Sequence, residues 1–380
     1  MKKLFVVLFS IIIIFVASLY AFDKDYILRG ISKTYLVGHS TANINDHTAF
    51  ETHTIKAAEQ VQAWKMHSQG NKKLDQAMYD YLAEFNTAAF LVIHHGEIIS
   101  ETYFDGYNNR SKTNSFSMAK TVTTLLVGAA IEDGYIESLD QKITDFLPEF
   151  SSDPLAQYAT VGQLSAMTSG YEWDENYYSP LSPTVQLYYD TDVETFVLNG
   201  KFAHQPGTVH YYSSASTQLL GVVLNRALKQ HKKGSISEYL SEKLWQPLGM
   251  NDDALWHTDN QGLELTYCCI NTNARNFAKL GQLMLNKGKW NNQQLIPEAF
   301  IVDMVIPQEL ASNYGYATWV NKEHSPKFFW FSGHLGQFII NVPEEDLIIV
   351  RLGERHDTSK DFRTNELYDY VNTALELIER

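Results

Sequence analysis

Ser117 and Lys120 stand three positions apart in the chain's only Ser-x-x-Lys. On a helix, positions i and i+3 share a face, which puts the lysine amine one turn from the serine hydroxyl. A serine hydroxyl is a poor nucleophile until an adjacent base takes its proton. A lysine can be that base if burial disfavours its charged form and lowers its pKa. Two further segments carry groups suited to moving protons or receiving a substrate. Pro206-Gly207-Thr208 opens a turn ahead of Tyr211-Tyr212-Ser213-Ser214, and a tyrosine at a loop end presents its hydroxyl as donor or acceptor. Beside Lys120, Tyr212 is expected to favour its anionic form. Ser332-Gly333-His334-Leu335-Gly336-Gln337 sets a histidine between two glycines in a strand pattern, where glycine lets another backbone or a ligand come close.

Other chemistries find no support. The net charge is −14 with no basic run, which excludes a phosphate-binding nucleic-acid surface. The 13 histidines form no His-Glu-x-x-His and no Cys/His cluster, so no metal site or other cofactor is expected. His94 and His95 are expected on opposite faces of a strand. Gly-x-Ser-x-Gly is absent, against a nucleophile elbow. Cys268 and Cys269 are neighbours and rarely could such a pair meet disulfide geometry, so both are read as small buried hydrophobes.

The elements that must position these residues follow from periodicity. Residues 71–85 read as a helix, and 88–93 with 98–104 as a β-hairpin turning at 95–97. The apolar run 121–131 reads as a helix ending near Gly134, directly after Ser117. Further helices are expected at 140–150, 163–168, 185–198, 215–229, 236–244 and 274–286. An aromatic, acidic loop occupies 171–182. Strands return at 316–321, 328–331, 337–341 and 347–352, and 365–378 reads as an amphipathic closing helix. The fold class is therefore α+β: an antiparallel sheet built from N- and C-terminal strands and flanked by helices, with a mainly helical region at about 121–300 inserted.

The N-terminus is a separate unit. Lys2 and Lys3 precede an apolar stretch, 4–20, then Ala21 and charged residues. This is the pattern of a secretory signal cut after Ala21, and its length also allows an uncleaved membrane anchor. Residues 1–21 are thus signal or anchor, 22–70 an N-terminal extension without assignable chemistry, and 71–380 the main domain. An exported protein follows, periplasmic or secreted, or held at the inner membrane by 4–20.

Taken together, Ser117/Lys120, Tyr212-Ser213-Ser214 after Pro206-Gly207-Thr208, and His334-Leu335-Gly336 resemble the serine β-lactamase and penicillin-recognising superfamily. The likeness is to its class C-like branch of family VIII-type esterases and 6-aminohexanoate-dimer hydrolases, and it spans about 75–355. Connecting stretches are similar too: Phe116 to Lys120, Asp145-Phe146-Leu147-Pro148-Glu149, Met167-Thr168-Ser169-Gly170 and 278–288. The resemblance implies a transpeptidase-like fold, an acyl-enzyme on Ser117, and Lys120 and Tyr212 as acid and base, in either assignment. It implies an oxyanion hole from the backbone N–H groups of Ser117 and Gln337, with Ser214, His334 and Gly336 at the substrate. Two departures matter. Ser214 stands for the family's asparagine, and His334 for the cationic lysine that meets the carboxylate of a β-lactam. Both turn the expectation toward a small-molecule ester or amide. A D,D-peptidase or β-lactamase is the alternative with the same chemistry, and a non-catalytic sensor of cell-wall fragments the alternative of another class.

Overall fold

Thr87–His94 and Glu97–Tyr103 pair as an antiparallel hairpin whose two-residue turn, His95-Gly96, is at positive φ in both positions. This geometry corrects one expectation. Faces alternate only along extended backbone; with His95 left-handed, the His94 and His95 rings lie 3.9 Å apart. The structure, a computed structural model, describes residues 1–359 and 365–379. Residues 360–364 and 380, within the expected main domain, lie outside the described residues.

Leu347–Gly353 runs antiparallel beside Thr87–His94, from Leu347 opposite His94 to Gly353 opposite Thr87, and so joins the two ends of the chain in one sheet. Beyond it stand Gln337–Val342, Phe328–Gly333 and Trp319–Asn321, each antiparallel to the last. The opposite edge is Glu97–Tyr103 with the two-residue parallel strand Lys65–Met66, making seven strands. Side chains alternate across a strand. Phe90 and Val92 accordingly join Leu82 of the helix Gln76–Glu84 and Leu367 and Tyr370 of the helix Asn365–Glu379. Leu91 and Ile93 face the other way, into the core built with Val122 and Leu125 of the helix Met118–Glu132.

The inserted region is helical where periodicity was strong: Ser214–Gln230 and Ala274–Leu285 differ from expectation by a residue at the ends. The expected helix at 185–198 is two, Pro183–Tyr189 and Val193–Leu198, because Asp192 caps the second by accepting from Thr195 N. At 140–150 there are only two 3₁₀ turns, Ile143–Asp145 and Pro148–Phe150, the second opened by its proline. Two strands of this region, Ala254–His257 and Ile270–Thr272, join Thr52–Ile55 and Thr113–Asn114 from before it in a second sheet that periodicity did not suggest. Its last pairing holds the chain just before Ser117 against the chain just after Cys269.

Cys268 and Cys269 are buried, as expected, but are joined by a disulfide, which corrects the expectation that such neighbours would not pair. A left-handed Cys269, φ 78°, brings the neighbouring sulfurs together. At the N-terminus, Lys2–Ala21 is an exposed helix long and apolar enough to cross a membrane, a property that signal sequences share. The helix Tyr26–Lys33 follows and packs on Pro183–Tyr189.

Candidate active site

Ser117 is the residue before the helix Met118–Glu132, and its hydroxyl does not cap that helix. The preceding Phe116 is left-handed at φ 43°, an unfavourable state for a large side chain that the surroundings must impose. Asn114 Oδ1 accepts from Phe116 N at 2.8 Å, and the Ser115 hydroxyl accepts from Ile270 N at 3.0 Å, fixing the bend to the second sheet. The sharp turn delivers Ser117 to the mouth of two cavities. Its amide lies at the first turn of the helix, where N–H groups have no intrahelical acceptor.

Lys120 is 1% exposed, and its Nζ lies 3.0 Å from Ser117 Oγ. The same nitrogen reaches Ser214 Oγ at 3.1 Å and the Tyr267 carbonyl at 3.0 Å. Burial lowers its pKa to about 8, and the charge of Glu175 works against the shift. A neutral amine keeps two N–H groups for Ser214 and Tyr267 and turns its lone pair toward the Ser117 hydroxyl.

Tyr212 packs beside this pair, with Lys120 Nζ 5.1 Å from its ring centroid. Its ring stacks on Trp319 and meets Tyr314 edge-on. Burial, then the Glu175 charge, raises its pKa, and a hydrogen bond with Ser117 offsets part of the rise. The phenol is therefore protonated near neutral pH. The expectation of a tyrosinate is corrected, because burial and a carboxylate outweigh the nearby amine.

Glu175 belongs to the loop 171–182, which the sequence marks only as aromatic and acidic. It accepts from Ser214 N at 2.7 Å and Ser214 Oγ at 2.6 Å, from Tyr177 Oη at 2.6 Å and from Trp173 Nε1 at 2.7 Å. Ser214 thus donates to Glu175 and accepts from Lys120. Ser213 caps the helix Ser214–Gln230 by accepting from Ser216 N at 3.1 Å, which turns Ser214 inward.

The third segment forms a tight turn between Phe328–Gly333 and Gln337–Val342, with Leu335 and Gly336 both left-handed. His334 stacks on Tyr177, ring centroids 5.1 Å apart, and meets Phe116 edge-on. Burial, then His356, lowers its pKa to about 4, so it is neutral at pH 7. The glycines serve the backbone. A Cβ at Gly333 would sit 2.2 Å from the Ser115 carbonyl, and one at Gly336 would sit 2.6 Å from Arg351 Nη1. Arg351, which sequence reasoning missed, is fully buried and donates to the carbonyls of Leu335 and Gly336 at 3.0 and 2.9 Å. Gln337 is buried behind the turn, its side chain bonded to Gly353 N and O and to His334 O. Residues 332–336 line a cavity here, and Gln337 side-chain atoms face away from it.

Tyr177, Tyr178 and Trp319 line the cavities, whereas Trp330 is buried behind Trp319. Among the described residues no group of three His, Cys, Asp or Glu could hold a metal ion. Serine, amine and phenol together can transfer an acyl group without one.

Comparison with known proteins gives a consistent picture. A family model described as Beta-lactamase matches residues 74–371. A 6-aminohexanoate-dimer hydrolase of Paenarthrobacter ureafaciens is 24% identical over 299 residues, covering 73% of this chain and 74% of its own. Among solved structures, a Bacillus anthracis chain described as a candidate 6-aminohexanoate-dimer hydrolase superposes with a TM-score of 0.72 at 23% identity, over 87% of this chain and 90% of that one. A family VIII carboxylesterase superposes with a TM-score of 0.62 at 18% identity, over 83% and 99%. At these identities the structural likenesses speak for the fold alone.

Proposed function

This chain belongs to the beta-lactamase family, and from that premise we propose that it is a serine hydrolase cleaving a small-molecule ester or amide through an acyl-enzyme on Ser117. The observation that carries the reading is the buried Lys120 amine 3.0 Å from Ser117 Oγ, with its pKa lowered to about 8. Neutral Lys120 takes the Ser117 proton as Oγ bonds to the carbonyl carbon. The oxyanion is held by the N–H of Ser117 and that of Gln337, each such donor being worth about 10² to 10³ in rate. Protonated Tyr212 gives its proton to the leaving group as the carbon–heteroatom bond breaks. The Lys120 ammonium then restores the phenol. Water enters by the reverse of these transfers and releases the acid. Neutral His334 offers no cation to a substrate carboxylate, which favours esters and amides over β-lactams. Residues 1–21 would serve as export signal or inner-membrane anchor and 22–70 as an extension of the 71–380 hydrolase domain.

Turnover of p-nitrophenyl acetate beside nitrocefin and an acyl-D-Ala-D-Ala peptide tests this. The ester is expected to turn over and to lose most of its rate in both Ser117→Ala and Lys120→Ala. Near-normal rates in either variant, or fast β-lactam cleavage without ester cleavage, would sink the reading.

A further inference from the structure

Ser117 lies between two cavities of different character. One, about 260 Å3, is lined by Glu175, Tyr212, Trp319 and residues 332–336. The other, about 200 Å3, includes Ile27, Ile31, Tyr178, Val185, Tyr188 and Cys268 in its walls. Ser117, Tyr177 and His334 border both, and the stacked Tyr177 and His334 rings stand between them. Tyr212 borders only the first. The proton donor must reach the leaving group, so the leaving group belongs in the cavity with Tyr212. The acyl group is left with the second.

That second cavity has two unusual properties. Its far wall comes from the helix Tyr26–Lys33 and the residues that follow, outside the segment 74–371 that the family model matches. The wall is firmly seated: Tyr26 is buried and donates to the Pro180 carbonyl at 3.0 Å, and Arg29 Nε donates to the Tyr189 carbonyl at 2.6 Å. Gly30 lies against the Tyr189 ring, where a Cβ would come within 3.2 Å. Secondly, no Asp, Glu, Lys or Arg among the described residues lines it. The helix's own cations are turned elsewhere, Arg29 to Asp25 and Lys33 onto the Phe50 ring. At the outer end, Tyr35 and Tyr178 form an exposed apolar rim.

We propose that the N-terminal extension makes this cavity an acyl-chain slot, so that the substrate class is an ester of an uncharged medium-chain carboxylic acid. The slot deepens the hydrolase reading and rests on it. An alkyl chain gains by leaving water along its whole length, about fourfold in kcat/KM for each methylene buried. A chain ending in an ammonium group, such as a 6-aminohexanoyl group, would bring its charge into a slot with no counterion. The slot therefore distinguishes this chain from its 6-aminohexanoate-dimer hydrolase relative in acyl preference.

The test is a series of p-nitrophenyl esters from acetate to decanoate, with p-nitrophenyl 6-aminohexanoate set against the heptanoate of matching length. On the full chain, kcat/KM is expected to rise several-fold per methylene through the shorter members and then level off. The heptanoate should exceed the amino ester at least tenfold. Ile27→Trp and Ile31→Trp, which narrow the slot, should each lower the heptanoate-to-acetate ratio about tenfold. A flat or falling series in the unaltered protein, parity of the amino ester, or an unchanged ratio in both variants would overturn the slot and leave the hydrolase reading standing. Absence of turnover with every ester would instead remove the hydrolase reading itself.

Discussion

The nitrogen of Lys120 has three hydrogen-bond partners and no carboxylate among them, so its charge is poorly supported where it sits. Its ordinary pKa of 10.5 is lowered to about 8, and the acting form is the neutral one. The rate therefore rises with pH: kcat/KM for an ester is expected to climb through an acid limb near pH 8 and to flatten above it. A pH–rate profile that is level from pH 6 to 9 would contradict Lys120 as base. Glu175 holds that pKa up, so Glu175→Gln should move the acid limb to lower pH while lowering kcat about tenfold or more through the loosened Ser214. A fall in rate with no movement of the limb would make Glu175 merely structural. Ser117, Lys120, Tyr212 and His334 were legible in the sequence because each lies in a short pattern of fixed spacing. Glu175 and Arg351 were not, since what ties each to the site, Ser214 for the one and the Leu335 and Gly336 carbonyls for the other, lies 39 and 15 to 16 positions away, and no local spacing records that. The charge state of Tyr212 was misread for the same reason. Its neighbours along the chain do not disclose its burial.

Three segments must meet for the site to form: the bend before Met118–Glu132, the start of Ser214–Gln230, and the turn after Phe328–Gly333. The first and third touch at Gly333, whose missing side chain admits the Ser115 carbonyl. Gly333→Ala should cost about 1–3 kcal/mol by overpacking and lower ester turnover together with it. Denaturant unfolding beside kinetics checks this, and full stability in the variant would contradict the close approach. Arg351 pins the turn by its carbonyls. Arg351→Met should raise KM or depress kcat without moving the acid limb set by Lys120, which the same pH series reads. The hairpin, the C-terminal strands and the long helices were legible because their periodicity runs over enough residues to be seen. The second sheet was not, because strands of two to four residues owe their form to partners as distant as Thr52 and His257. Cys268-Cys269 belongs with these: a single left-handed residue within that sheet's connection decides the pairing.

For the whole molecule, joining the chain ends in one sheet was foreseen from strands at both termini, and the order of the seven strands bears it out. What the sequence did not disclose is how far the extension reaches, from the second sheet to the rim of the acyl-side cavity. The assembled fold also holds two neutral imidazoles, His257 fully buried and His334 half-buried between the two cavities. His257, whose ring nitrogens make no hydrogen bond among the described residues and whose Nε2 lies 3.9 Å from Asp46 Oδ1, has its pKa lowered to about 3, and His334 to about 4, in both cases mainly by burial. The unfolded chain takes up protons there as pH falls through 6.5 and the folded one does not until pH 3–4, so their stabilisation is lost across that window. Asp46, raised to about 6 from 3.8 by burial, acts in the opposite sense but is a single, smaller shift. The melting temperature is expected to fall between pH 7 and pH 4, and less steeply in His257→Phe, whose ring keeps the stack on Phe50. A melting temperature independent of pH in that range would contradict this balance.

The central claim is that Ser117 is acylated. Mass spectrometry of the folded protein after treatment with a fluorophosphonate probe tests it most directly. One adduct is expected, on the peptide containing Ser117, absent in Ser117→Ala and much slower to form in Lys120→Ala. Folded protein that stays unlabelled, or labels at another serine, would contradict it.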